Sequence, residues 1–212
     1  MSEVIEFLFG QYRDYKTSHI VLELIMVVAS VISVLYSKRN NILVFPFGII
    51  STLIFSYLLW QWNLLGDMVI NIYYFIMSIY GWYIWTRKID VTHETLITRA
   101  SRNEWLVSFL LLIAAAVAIF FLYFYTDRLE STVSYIDMLT TGIFFAGMWL
   151  MARRKLEHWI VLLVGNVISV PLYFYKGYSF SALLYLFLAI IAYYGYLEWK
   201  KYLNKQPILG KE

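Results

Sequence analysis

Residues 105–125 read WLVSFLLLIAAAVAIFFLYFY, 21 positions without one charged side chain. As a helix this stretch rises about 31 Å, the thickness of a bilayer's hydrocarbon core. It does not alternate, and positions 110 to 121 are apolar throughout, so a barrel strand with one lipid face and one polar face is excluded. Outward from it lie six further apolar segments, 20–36, 42–60 and 64–85 before it and 135–151, 159–175 and 179–199 after it. All fall within the roughly 17 to 25 residues that a membrane helix needs. The whole chain agrees: 61% of its 212 residues are hydrophobic and 15% charged, too much apolar surface for a water-soluble domain of this size to hide. The expected class is an all-α membrane protein of seven transmembrane helices.

Seven spans put the termini on opposite sides, so the basic residues sort into two sets. Arg13, Lys16, Arg128 and Lys176 fall on one side and the other 13 of the 17 on the opposite side. By the positive-inside rule the N-terminus is external and the C-terminus cytoplasmic, and the expected location is a cytoplasmic (inner) membrane. Residues 1–18 lack the charged and apolar pattern of a signal peptide and carry Ile5, Leu8, Phe9 and Tyr12 at helical spacing, which fits an external interfacial segment. Residues 86–104 form the longest and most charged connection, a cytoplasmic linker, and residues 200–212 a cytoplasmic tail. A net charge of +3 is too small to suggest nucleic acid, and without cysteine there are neither disulfides nor thiolate metal sites.

The two halves resemble each other. Tyr80, Gly81 and Trp85 return 114 positions later as Tyr194, Gly195 and Trp199, and Glu23 returns as Asp137. Lys38 and Arg39 match Arg153 and Arg154 at an offset of 115, and Ile50, Ser51 and Phe55 match Ile168, Ser169 and Tyr173 at 118. The expected architecture is therefore 3+1+3: residues 20–85 and 135–199 as parallel three-helix repeats, joined by the connector helix 105–125. Such duplication is typical of transporters, which bind substrate between the halves.

Polar residues inside the spans mark where a substrate would sit. Asn71 lies on one face of span three with Trp82, and Tyr74 lies beside them; Asn166, Ser169 and Tyr173 follow at i, i+3 and i+7 in span six, and Tyr185 takes the place of Asn71 in span seven. Interhelical packing is the alternative reading of these groups, and the preferred one for the serines and for Thr52. Glu23 and Asp137 sit within a turn of their helix starts and are read as facing interfacial water. Pro171 is expected to break span six. No clustered acids, histidines or nucleophile motif suggest catalysis, a metal or a cofactor. Trp60, Trp62, Trp85, Trp105 and Trp199 at span ends read as interfacial belts.

The stretch FPFGIIS at 45–51 leading to IYGWYIW at 79–85, with LMARR at 150–154, EHW at 157–159 and GNVISVPLY at 165–173, resembles the PnuC family of vitamin transporters, best known for nicotinamide riboside uptake. The resemblance implies a SWEET-like 3+1+3 fold and facilitated diffusion of a vitamin that a cytosolic kinase traps by phosphorylation. Many members carry a second Trp where this chain has Leu162, and relatives carry thiamine or other nucleoside-like vitamins. Nicotinamide riboside and thiamine are both flat cations, suited to aromatic faces and to asparagine amides. The expected substrate site is Asn71, Tyr74, Trp82, Trp159, Asn166, Ser169, Tyr173 and Tyr185. Nicotinamide riboside is expected first and thiamine second, with a seven-span receptor or sensor as the alternative of another class; a homo-oligomer is compatible with the sequence.

Overall fold

The computed structural model describes residues 16–61, 65–90, 93–94, 96–127, 129, 132–175 and 179–205. Within them lie seven helices: α1 (Thr17–Lys38), α2 (Val44–Gln61), α3 (Leu65–Thr86), α4 (Arg102–Tyr125), α5 (Thr132–Ala152), α6 (His158–Tyr175) and α7 (Ser179–Lys205). Among the described residues six of these, all but α3, are long and apolar enough to cross a membrane. Helix α3 has the same reach at 22 residues. The expected interfacial segment falls almost wholly on residues 1–15, which with Trp62 and residues 206–212 lie outside the described set.

Helix α4 starts at Arg102, where Ser101 and Glu104 form a reciprocal capping box, the Ser-x-x-Glu signature of a helix start. Helix α6 continues through Pro171, which lacks the N–H that would bond the Val167 carbonyl but does not end the helix. Helices α1 and α5 end alike: Asn41 N–H reaches the Tyr36 carbonyl at 3.0 Å and Lys155 N–H that of Leu150 at 3.0 Å. Each closure turns on a residue of positive φ, Asn40 at 52° and Arg154 at 58°, the left-handed position that terminates many helices.

These two turns are 114 residues apart, and so are their surroundings. Helices α2 and α6 begin at Val44 and His158 and end at Gln61 and Tyr175, each difference being 114. The backbone bonds therefore align Arg39 with Arg153, and the sequence pairings at offsets 115 and 118 are displaced by one and four residues. Apolar helices align almost equally well in neighbouring registers, whereas turn hydrogen bonds admit only one. Helix α1 packs on α2, α2 on α3, α5 on α6 and α6 on α7; α3 meets α5, α1 meets α7, and α4 packs chiefly on α5.

Two expectations fail at the helix ends that share a face with these turns. Trp85 and Trp199 are 1% and 0% exposed, so they are core residues and not an interfacial belt; Trp60 and Trp105 are exposed and fit one. Residues 86–104 are more than a linker. They form a short antiparallel hairpin, β1 (Lys88–Asp90) with β2 (His93–Glu94), and then dock on the α5–α6 turn. Thr98 N–H donates to the Arg154 carbonyl and Leu156 N–H to that of Thr98, Ile97 is buried, and Glu104 pairs with Lys155 at 2.8 Å and Arg153 at 3.2 Å.

Candidate functional site

A cavity of about 330 Å³ lies between the helices. Six helices line it, α1, α2 and α3 on one side and α5, α6 and α7 on the other, and α4 contributes nothing. Eight lining pairs are 114 residues apart, among them Ser37 with Met151, Phe45 with Trp159, Thr52 with Asn166 and Ser78 with Ala192. Equivalent positions thus face one another across the space.

Their chemistry is unequal. Of the 11 residues from α1 to α3, seven carry hydroxyls: Ser30, Ser33, Ser37, Ser51, Thr52, Tyr74 and Ser78. Of the ten from α5 to α7, Tyr185 alone does, and Phe144, Trp159, Leu162 and methionines dominate. The first half carries most of the hydroxyls and the second most of the aromatic and aliphatic bulk, around a surface that is mostly apolar. Ser30, Ser33 and Ser37, at i, i+3 and i+7 of an otherwise apolar helix, carried a signal that the sequence reading passed over.

No lining residue is charged, so what the cavity offers is hydrogen bonds and ring faces. Several hydroxyls are committed to backbone: Ser33 donates to the Val44 carbonyl at 2.7 Å, Thr52 to Gly48 at 2.8 Å and Ser78 to Tyr74 at 2.8 Å. The Ser37 hydroxyl and the Trp159 indole N–H are buried with no hydrogen-bond partner among the described residues. Asn166 is 5% exposed, lines the cavity, and its amide bonds to no described side chain or carbonyl. Buried polar groups are nearly always paired, and an amide facing a cavity without a partner is available to a ligand.

The structure brings together four of the eight expected residues, Tyr74, Trp159, Asn166 and Tyr185. Tyr173 stands behind Tyr185, rings 4.7 Å apart, and Ser169 is wholly buried outside the lining. Trp82 is 41% exposed; it shares a helix face with Ser78 but lies a turn beyond the cavity. Asn71 is also outside it, its amide donating to the Thr52 carbonyl at 2.6 Å and the Ser56 hydroxyl at 2.8 Å. It ties α3 to α2. Asp137 meets protein, accepting a hydrogen bond from Tyr123 of α4.

Asn71→Ala should therefore destabilise the fold by about 1–2 kcal/mol, lowering the melting midpoint in detergent by about 2–8 °C, and leave ligand affinity within about twofold. An affinity loss of tenfold at unchanged stability would return Asn71 to the site.

Residues 20–201 match the model of the nicotinamide mononucleotide transporter family. Similar curated proteins include the nicotinamide riboside transporter PnuC of Neisseria mucosa, 25% identical over 84% of this chain and 71% of its own. That of Escherichia coli is 22% identical over 84% of each. A riboflavin/roseoflavin transporter, RibM of Streptomyces davaonensis, is 26% identical over 63% of this chain and 64% of its own. A crystal structure of the vitamin B3 transporter PnuC superposes with a TM-score of 0.63 at 20% identity, over 97% of this chain and 89% of that one, a likeness of fold.

Proposed function

The chain belongs to the nicotinamide mononucleotide transporter family, and from that membership we propose that it imports nicotinamide riboside by facilitated diffusion across the cytoplasmic membrane. The observation that carries this reading is the division of the cavity between a half that carries most of the hydroxyls and a half that carries most of the aromatic bulk. A nucleoside has the same division, a polyhydroxylated sugar and a flat ring. The ribose lies toward Ser30 and Thr52, and the pyridinium lies against Phe144, Trp159 and Tyr185. Asn166 pairs with the carboxamide, since an amide both donates and accepts. Ring faces attract the cation by about 2 kcal/mol when desolvated.

The riboside is favoured over its nucleotide by electrostatics. A phosphate would enter a lining with no lysine or arginine, and burying an unpaired anion is prohibitive. Phosphorylation by a cytosolic kinase would then trap the product. The 114-residue spacing of the turns, of the ends of α2 and α6 and of the cavity pairs supports a seven-span, 3+1+3 architecture of parallel repeats around α4, and the distribution of basic residues supports an external N-terminus and a cytoplasmic C-terminus.

Liposomes containing only this protein should take up labelled nicotinamide riboside well above empty liposomes, with the mononucleotide failing to compete. Binding without flux would make the protein a receptor. The match to RibM favours a second reading, a different flat vitamin; uptake of labelled riboflavin or thiamine but not of nicotinamide riboside would select it.

A further inference from the structure

The cavity is closed toward the α1–α2 and α5–α6 turns by a reciprocal pair of bonds. The Trp85 indole N–H, at the end of α3, donates to the Met151 carbonyl at the end of α5, 3.3 Å away. The Trp199 indole N–H, in the last turns of the apolar part of α7, donates to the Ser37 carbonyl at the end of α1, 2.8 Å away. Both donors and both acceptors are separated by 114 residues. Each tryptophan thus holds the first helix of the other triplet, and the two indoles touch, centroids 5.5 Å apart. The turns themselves are joined by Arg154 Nε donating to Asn40 Oδ1 at 3.1 Å, with the guanidinium 4.5 Å over the Trp85 ring.

This clasp is built onto the cavity floor. Ser37 and Met151, which supply the carbonyls, line the cavity. So do Phe45 and Trp159, which stand edge-on to Trp85 at 4.9 Å and to Trp199 at 5.9 Å. A ligand pressing on Phe45 or Trp159 therefore presses on the two rings whose bonds hold the triplets together. Because the bonds run between triplets and end on helix-terminal carbonyls, a tilt of one triplet against the other breaks both together.

We propose that Trp85 and Trp199 form the cytoplasmic gate of the carrier, with Phe45 and Trp159 as the positioning residues that couple it to the bound ligand. The gate rests on the assignment of this end to the cytoplasm, but not on the identity of the vitamin. The chain has no cysteine, so Ser37→Cys places a single thiol on the cavity floor. In reconstituted vesicles a membrane-impermeant maleimide should label it slowly from either side. Adding Trp85→Phe or Trp199→Phe, which keeps a ring and removes the N–H, should raise labelling about tenfold from the side on which a C-terminal tag is accessible, and not from the other.

Asn40→Ala, which removes an outer strut and leaves both indoles, should give a smaller rise of the same sidedness. It decides the question if the tryptophan variants do not fold. An unchanged rate, or an equal rise from both sides, would overturn the gate. One-sided labelling, with no nicotinamide riboside flux through the unsubstituted protein, would keep the gate and reject the substrate.

Discussion

Asn166→Ala is expected to weaken binding of nicotinamide riboside by about 5- to 150-fold and to leave the melting midpoint unchanged. The affinity loss follows from a ligand carboxamide desolvated against a missing partner, a penalty of about 1–3 kcal/mol. The unchanged stability follows from the site: the Asn166 amide lines the cavity and bonds to no described residue, so its removal orphans nothing in the apo protein. Titration of purified protein, followed by intrinsic tryptophan fluorescence, gives the affinity, with Trp159 in the cavity wall as a reporter. A fall in stability with affinity preserved would assign Asn166 to packing, and would leave the aromatic wall to select the ligand alone. Paired with Asn71→Ala, the experiment has opposite expectations for two asparagines that look alike in sequence.

That contrast shows what the sequence could carry. Both asparagines sit deep in apolar segments, and helical period places each on a face. What occupies the facing space is decided by neighbouring helices. Asn71 meets α2 at Thr52 and Ser56, whereas Asn166 meets open volume. Trp85 and Trp199 failed for a related reason. A tryptophan at a span end belongs to an interfacial belt in an isolated helix, yet here both ends converge on the same cluster with Phe45, Met151 and Trp159. The spans, the cavity-lining Tyr74, Trp159, Asn166 and Tyr185, and the 114-residue repeat of the Tyr-Gly-x-x-x-Trp motif were legible, because lipid imposes length and repetition leaves letters in register. The α1 serine ladder was equally visible and was missed, since serines in membrane helices are commonly packing residues. The docking of residues 97–104 on the α5–α6 turn runs through backbone bonds and through ion pairs of Glu104 with residues about 50 positions away, and neither leaves a local pattern to read.

The same motif yields the second large effect. Gly81→Ala and Gly195→Ala should each destabilise the protein by about 1–3 kcal/mol through overpacking, although alanine is the better helix former by about 1 kcal/mol. A Cβ on Gly81 would lie 2.3 Å from Phe45 Cε1 and 3.2 Å from the Ala152 backbone; one on Gly195 would lie 2.7 Å from Trp159 Cε2 and Cζ2. Neither ring can simply swing aside. Phe45 is 1% exposed and Trp159 3% exposed, each standing edge-on to a tryptophan of the clasp, so the displaced ring must either strain that pair or enter the cavity. Gly81→Ala should be the worse of the two, having the shorter contact and a backbone wall behind it. Thermal melting in detergent gives the stability, and the companion change Phe45→Leu, which removes the ring atoms that clash, should recover most of the midpoint lost in Gly81→Ala. The same pair of variants should lose affinity along with stability, because the ring each one moves is a wall of the cavity. If Gly81→Ala melts at or above the parent, the helices are not held at this separation by the glycines, and the close approach of α3 to Phe45 would have to relax without cost.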